Sequence, residues 1–356
     1  MQTIRWGILG TGAIAHHFAH GLGFARGAVL QAVASRSAVN AQAFAGAYGF
    51  QRAHDSAAAL FADPEVDVVY IATPNENHHA DCLAAIAARK AVLCEKPFAL
   101  DAAQTREVFA AAEAANVFCM EAMWLLCAPA VIEAAEAIQR GVIGQPLMLT
   151  AQLGFAHQPS ATSRLFTGAG AGALLDLGVY PLALAQALLG TPETVKAVVS
   201  RGAGGADETV SMTLGYASGA QASLSASLRT TLLNAASVQG SEGVLHLDSP
   251  LYFPQRYRIE QIAPQTESPR HAGQRAGLRQ HPSLAPLLNI ARGLRNGLRS
   301  KGVVRRPQGT GYTAEAEEVI RCLREGLKTS PRVSPAHTLA VMSTVDRIRA
   351  AWSATT

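Results

Sequence analysis

From residue 4 onward the chain alternates short, continuously apolar runs with stretches whose apolar residues recur at helical spacing. Strands are expected at 4–9, 29–35, 66–73, 91–94 and 117–120, and helices at 14–21, 40–48, 78–88 and 102–115. Because these strands are apolar throughout, both faces must be covered, which a parallel sheet with helices on each side provides. Residues 1–123 are therefore expected to form a doubly wound α/β domain.

Past Trp124 the pattern changes. A helix near 129–140 precedes strands with two-residue alternation, clearest where Gln221, Ser223, Ser225 and Ser227 interleave with Ala222, Leu224, Ala226 and Leu228. Further strands at 147–155, 194–201, 208–216 and 235–247, with a helix at 173–189, suggest an open, mostly antiparallel mixed sheet with one covered and one polar face. Residues 254–311 show little strand patterning and read as a solvated loop and basic helix rather than an anion site, ending in Arg292, Arg295, Arg299, Lys301, Arg305 and Arg306. Helices at 314–326 and 336–351 close the chain. The expected fold class is α/β: a Rossmann sheet over 1–123, then an α+β domain over 124–356 for substrate binding and oligomerisation.

Composition narrows the classes. A chain of 356 residues exceeds one ordinary core, and 49% hydrophobic with 16% charged residues excludes general disorder. The net charge of +4 suits an anionic cofactor but is too weak to argue for nucleic acid. No apolar run reaches the roughly 18 residues of a membrane span, and residues 1–6 lack a signal-peptide pattern. Cys82, Cys94, Cys119, Cys127 and Cys322 form no CxxC pair, so reduced structural thiols in a cytoplasmic protein are expected. His16, His17, His20, His54, His79 and His157 offer no ligand triad, and no metal is expected.

Gly10-Thr11-Gly12-Ala13-Ile14-Ala15 lies between the first strand and the first helix. In such a GxGxxA turn the first Gly permits the turn, the second lets backbone approach a pyrophosphate, and the small third residue lets the helix pack on its strand. Free N–H groups at the helix start then stabilise phosphate charge. The second strand ends at Ser35-Arg36, where NAD-preferring domains place an acid. A hydroxyl and a guanidinium suit a 2′-phosphate, which favours NADP(H); if Arg36 only stacks on adenine, NAD(H) binds as well.

Together with that turn, Thr73-Pro74-Asn75, His78 and Glu95-Lys96-Pro97 resemble the glucose–fructose oxidoreductase, inositol dehydrogenase and rhizopine-catabolism family. The stretches 91–97, 120–124 (Met-Glu-Ala-Met-Trp) and 172–180 (Gly-Ala-Leu-Leu-Asp-Leu-Gly-Val-Tyr) are similar to its dimeric dihydrodiol dehydrogenase branch, which includes NADP-dependent D-xylose dehydrogenases. The likeness spans nearly the whole chain and weakens over about 254–308. It implies that Thr73, Pro74, Asn75, His78, Glu95 and Pro97 adjoin the nicotinamide and its ribose, and that the Lys96–Pro97 bond is cis. Hydride transfer to a carbonyl leaves an alkoxide that needs a proton donor, whose role reverses in oxidation. Tyr180 is expected to exchange that proton, and Lys96 to lower its pKa and bind the reacting oxygen. Asp176, four residues before Tyr180 on one helix face, is expected to orient Lys96 or a substrate hydroxyl. Whether Lys or Tyr transfers the proton stays open. Trp124, Phe155, Arg164, Asp176 and Tyr180 form the expected substrate site.

Relatives in this branch often carry Arg where Leu126 stands, so either Arg164 or His157 compensates or the substrate is less polar than an aldose. The expected activity is hydride exchange with a sugar, polyol or cyclic vicinal diol. A non-catalytic, cofactor-sensing regulator is the alternative, and the Gln/Ser-rich face is the expected homodimer interface.

Overall fold

The computed structural model describes residues 2–262, 300–305 and 309–353. Its first half runs β1 (Ile4–Leu9), α1 (Ala13–Leu22), β2 (Ala28–Ala34), α2 (Ala38–Tyr48), β3 (Arg52–His54), α3 (Ala57–Ala62), β4 (Val68–Ile71), α4 (His78–Ala87), β5 (Ala91–Glu95), α5 (Ala102–Ala115) and β6 (Cys119–Ala122). All residues of β4, β5 and β6 are buried, as helices on both sheet faces require. The six strands are parallel in the order β3-β2-β1-β4-β5-β6. This order reverses between β1 and β4, so a crevice opens at their carboxyl ends. The Gly10 turn and the Thr73 loop border it, and Lys96 emerges one strand further along.

Periodicity alone passes over β3 and α3. The strand β3 is short and exposes Arg52 and Ala53, and only its pairing with β2 defines it. The helix α3 is six residues long and is started by Ser56, whose hydroxyl accepts from Ala59 N. The strand expected at 66–73 shortens to β4 because Ala72 and Thr73 already turn into the loop. The one expected at 117–120 begins later, because Val117 N–H still closes α5 on Ala112 O behind left-handed Asn116.

The second half begins with α6 (Pro129–Gln139) and β7 (Pro146–Gly154). A π-helical turn (Leu174–Gly178) then enters α7 (Val179–Leu189). The strands β8 (Thr194–Arg201), β9 (Asp207–Gly215), β10 (Gln221–Ser227), β11 (Ala236–Gly240), β12 (Gly243–Leu247), β13 (Arg256–Gln261) and β14 (Ser300–Val304) follow, before α8 (Gly311–Arg324) and α9 (Pro335–Ser353). The sheet order is β14-β13-β12-β11-β7-β10-β9-β8, antiparallel except between β7 and β10. Leu149, Ala151, Ala222 and Leu224 are buried under α7 and its π turn, while Met148, Ser223 and Val198 face outward.

Two expectations for this half are corrected. The run 235–247 is a hairpin, broken at Ser241 and Glu242, because Gly240 passes so close to Ile143 that a Cβ there would meet its carbonyl oxygen at 2.1 Å. The stretch 254–311 contains β13 and β14, which its sequence hides because charge pairs replace apolar alternation. Arg256 and Arg258 pair with Asp248, and Arg305 pairs with Glu133. Of the basic cluster, Lys301 lies in β14, while Arg292, Arg295, Arg299 and Arg306 lie outside the described residues.

The last two helices bind the halves together. Thr313 on α8 donates to Gly21 O of α1 at 2.8 Å, and α9 packs on α5, α7 and β8. All five cysteines are buried and free. Among the described residues no helix is long and apolar enough to cross a membrane.

Candidate active site

The buried strand β5 delivers Lys96 to the carboxyl edge of the first sheet, where a cis Lys96–Pro97 bond turns the chain. Lys96 Nζ donates to Asp176 Oδ1 at 3.0 Å and to Asp176 O at 2.9 Å. It also lies 5.2 Å from the centre of the Tyr180 ring. The helix expected across 173–189 starts as a π turn, so Asp176 sits in that turn and Tyr180 in the first turn of α7. Tyr180 is 6% exposed, and its hydroxyl accepts from Trp124 Nε1 at 2.8 Å.

Electrostatics corrects one expectation here. Burial raises the Tyr180 pKa and outweighs the opposite pull of Lys96, so the phenol titrates above its ordinary range instead of below it. Burial also works to lower the Lys96 pKa, but the neighbouring Asp176, Tyr180 and Glu95 together hold it above its usual value. At neutral pH the site therefore presents a cation and a neutral phenol, both able to donate. Beneath them Glu95 is buried, accepting from the Tyr70 hydroxyl and from Lys96 N at 3.1 Å. Burial raises its pKa against the pull of Lys96 and Tyr70.

The glycine turn fits a dinucleotide phosphate. Gly10 has φ of +112°, and a Cβ there would meet Ala72 O at 2.6 Å. Gly12 caps α1 without any side-chain hydrogen bond, and no atom lies within 4 Å of where its Cβ would stand. The helix N–H groups are thus open to an anion. Ala13 is exposed at the helix start, Ile14 is half-buried and Ala15 is buried against the sheet. Ser35 Oγ accepts from the Thr11 hydroxyl and Ser37 N, both at 3.3 Å. Arg36 is exposed and makes no ion pair among the described residues. A recess of about 330 Å³ lined by Thr11, His16, Asn40, Ala43 and Phe44 adjoins this turn. No carboxylate lines it, which suits a 2′-phosphate.

On the far side of the crevice a cleft of about 470 Å³ lies between the Pro74–Asn75 loop and the 162–172 segment, with Thr162, Ser163, Arg164 and Asp176 on its wall. Asn75 Nδ2 donates to Gly170 O at 3.0 Å, and Thr73 Oγ1 donates to Asp81 at 2.6 Å. Arg164 reaches this cleft, whereas His157 is exposed and not on its wall. Leu126 is buried in the core. Trp124 stacks on Tyr312, Tyr252 and Phe253, with centroids 4.4, 5.4 and 5.5 Å away, and Phe155 tilts against Tyr252.

His78 and Pro97 are both buried, and they meet through a hydrogen bond from the ring to the Pro97 carbonyl. Sequence pattern alone assigns no role to Tyr70, Tyr252, Phe253 or Glu121. Tyr70 looks like core in its strand, and Tyr252 and Phe253 sit in an unpatterned link. Glu121 carried a signal, a carboxylate inside a four-residue buried strand.

Comparison with known proteins agrees with this fold. The profile described as "Oxidoreductase family, NAD-binding Rossmann fold" (GFO_IDH_MocA) matches residues 4–123, and that of the GFO/IDH/MocA C-terminal domain matches 131–246. A trans-1,2-dihydrobenzene-1,2-diol dehydrogenase from Mus musculus is 34% identical over 360 residues, covering 99% of this chain and 98% of the relative. A 3-ketoreductase from Actinomadura kijaniata, solved with NADP and TDP-benzene, superposes with a TM-score of 0.80 at 24% identity over 98% of each chain. A levoglucosan dehydrogenase solved with NADH and levoglucosan does so with a TM-score of 0.80 at 22% identity, over 100% of this chain and 98% of that one. Those two superpositions show a shared fold.

Proposed function

We propose that this chain, which belongs to the GFO/IDH/MocA oxidoreductase family, is an NADP(H)-dependent dehydrogenase or reductase acting on a cyclic vicinal diol or an aldopyranose, with D-xylose as the most specific candidate. The observation that carries it is the meeting of Lys96, Asp176 and Tyr180 at the carboxyl edge of the same sheet whose first strand ends in the open glycine turn. A bound nicotinamide supplies or accepts the hydride. The chain's own residues handle the charge left on oxygen: the Lys96 ammonium, steadied by Asp176, stabilises the developing alkoxide. Because a lone pair of the Tyr180 hydroxyl is taken by Trp124, its own proton is free to be given to that oxygen.

The cleft hydroxyls of Thr162 and Ser163, with Arg164 and Asp176, suit neighbouring hydroxyl groups on a ring. The Mus musculus relative acts on a ring diol by its name, and levoglucosan is a sugar ring. The deciding experiment is a panel of sugars, diols and α-dicarbonyls, each with NADP(H) and NAD(H), followed by nicotinamide absorbance. Turnover of a ring diol or aldose supports the reading. Tight dinucleotide binding with no turnover of any compound overturns it in favour of a sensor.

The cofactor preference rests on Ser35 and Arg36 lying where an acid would repel a 2′-phosphate. Ser35→Asp is expected to move the ratio of kcat/KM for NADP(H) over NAD(H) toward NAD(H) by about 10-fold or more, since a like charge nearby costs on the order of 1–2 kcal/mol. An unchanged ratio would show that another group reads the phosphate.

The polar outer face of the second sheet, with Met148 37% and Val198 75% exposed, supports a homodimer through that face. Sedimentation at micromolar concentration is expected to give a dimer, and Val198→Arg a monomer. A native monomer would remove the proposal.

A further inference from the structure

Two buried side chains outside the reacting set grip the turn that carries Lys96. The ring of His78, 1% exposed at the start of α4, lies with Nδ1 2.8 Å from Pro97 O and Nε2 2.9 Å from Thr73 O. Both neighbours are carbonyl oxygens and burial lowers the His78 pKa, so the neutral ring with its single N–H donates to one of them and packs against the other, sitting between the residue after Lys96 and the loop that follows β4. On the opposite side Glu121 of β6, 1% exposed, accepts from Phe98 N at 3.3 Å through Oε1 and from the Thr338 hydroxyl of α9 at 2.9 Å through Oε2. Phe98 is fully buried. Polar groups this deep are costly unless they are hydrogen-bonded. Here the partners are backbone groups of the lysine turn and the neighbouring crevice loop, and one hydroxyl, Thr338, of the helix packed behind them.

We propose that His78 and Glu121 are positioning residues that clamp the Lys96–Pro97–Phe98 turn, fixing Lys96 Nζ on Asp176 and at a set distance from the crevice floor. The proposal rests on the catalytic reading of Lys96 given above. It assigns His78 to the architecture of the lysine turn, and leaves contact with a nicotinamide ribose to its neighbours. Geometry explains why two grips are used: His78 holds a carbonyl and Glu121 an amide, so the turn can neither slide along β5 nor rotate about it. Burial pushes the Glu121 pKa up to about 7, against the pull of Thr338 and Phe98 N–H, while Glu95 raises it and Lys96 lowers it. The carboxyl is therefore substantially protonated near neutrality, and glutamine is a close mimic of it.

The test compares His78→Leu, Glu121→Leu and Glu121→Gln with the native chain, using NADP⁺ and D-xylose or the fastest diol of the panel. His78→Leu and Glu121→Leu are expected to lower kcat about 10–100-fold, as a displacement of about 1 Å can. The dissociation constant of NADP⁺ should stay within about threefold, and Glu121→Gln should retain most of the rate. In a Lys96→Met background, His78→Leu should cost nothing further, because the clamp acts only through the lysine. Crystal structures of the ligand-free proteins give a readout independent of turnover. Lys96 Nζ should leave Asp176 Oδ1 beyond the roughly 4 Å of an ion pair in His78→Leu and remain on it in Glu121→Gln. If Glu121→Leu fails to fold, Thr338→Val, which deletes the outer partner of Glu121, takes its place with a smaller loss of about three- to tenfold. An unmoved lysine in His78→Leu, or an equal further loss in the Lys96→Met background, overturns the clamp. Native rates in Lys96→Met would instead overturn the catalytic reading itself.

Discussion

Tyr180→Phe lowers kcat by about 10²–10⁴-fold, the range a positioned proton donor contributes, while dinucleotide affinity stays near native. The change deletes one oxygen from a buried ring and leaves its packing in place. It also leaves the Trp124 N–H without its partner, at a cost on the order of 1 kcal/mol of stability, so a small fall in Tm is expected beside the large fall in rate. Oxidation and reduction should differ in pH dependence. Because burial holds the Tyr180 proton more tightly than usual, the phenol remains a donor throughout the neutral range and reduction should be flat there. Oxidation needs the phenolate and should rise with pH toward the alkaline limit. Steady-state kinetics in both directions and a binary-complex titration check this. A Phe variant within threefold of native would assign the proton to Lys96.

Lys96→Met lowers kcat by roughly 10²–10³-fold, the loss seen when one charged or hydrogen-bonding stabiliser of a developing oxyanion is removed. Methionine keeps the length and the packing of the stem, so folding should survive. Asp176 is about a quarter exposed and can be rehydrated when its cation goes. The sign of the accompanying pH shift follows from the charges around Tyr180. Lys96 is the positive group opposing the upward push of burial on that phenol, so its removal raises the phenol pKa further. The alkaline rise of the residual oxidation rate should therefore move to higher pH. A pH–rate profile on the variant tests this, and an unmoved limb would separate Lys96 from Tyr180 electrostatically.

Much of this site could be read before any coordinates. The turn at Gly10–Ala15 is local: its chemistry depends on two glycines and a small residue at fixed offsets between a strand and a helix, and the structure has it there with Gly10 in a conformation only glycine readily takes. The parallel sheet was equally legible, because strands buried on both faces are continuously apolar. What misled was polarity with a distant cause. β13 and β14 form by pairing, with Arg305 just past β14 answered by Glu133, 172 residues earlier, and no window of sequence contains both sides of such a pair. The π turn at Leu174–Gly178 was invisible for a related reason, since one extra residue per turn leaves no periodic trace in five positions.

Short-range pattern is enough for the layered α/β framework, the phosphate-binding turn and the residue types at the ends of the strands, because each depends on neighbours within a few positions. Tertiary structure alone decided the electrostatics. The expectation that Lys96 would lower the Tyr180 pKa was reversed because the size of desolvation is set by everything packed around the phenol, from Trp124 on one side to Lys96 on the other. It also decided that His78 and Glu121 close on the lysine turn, Glu121 being held in its place by Thr338, 217 residues further along the chain. Burial and long-range partners are sums over the folded chain, and a linear string of residues does not contain them.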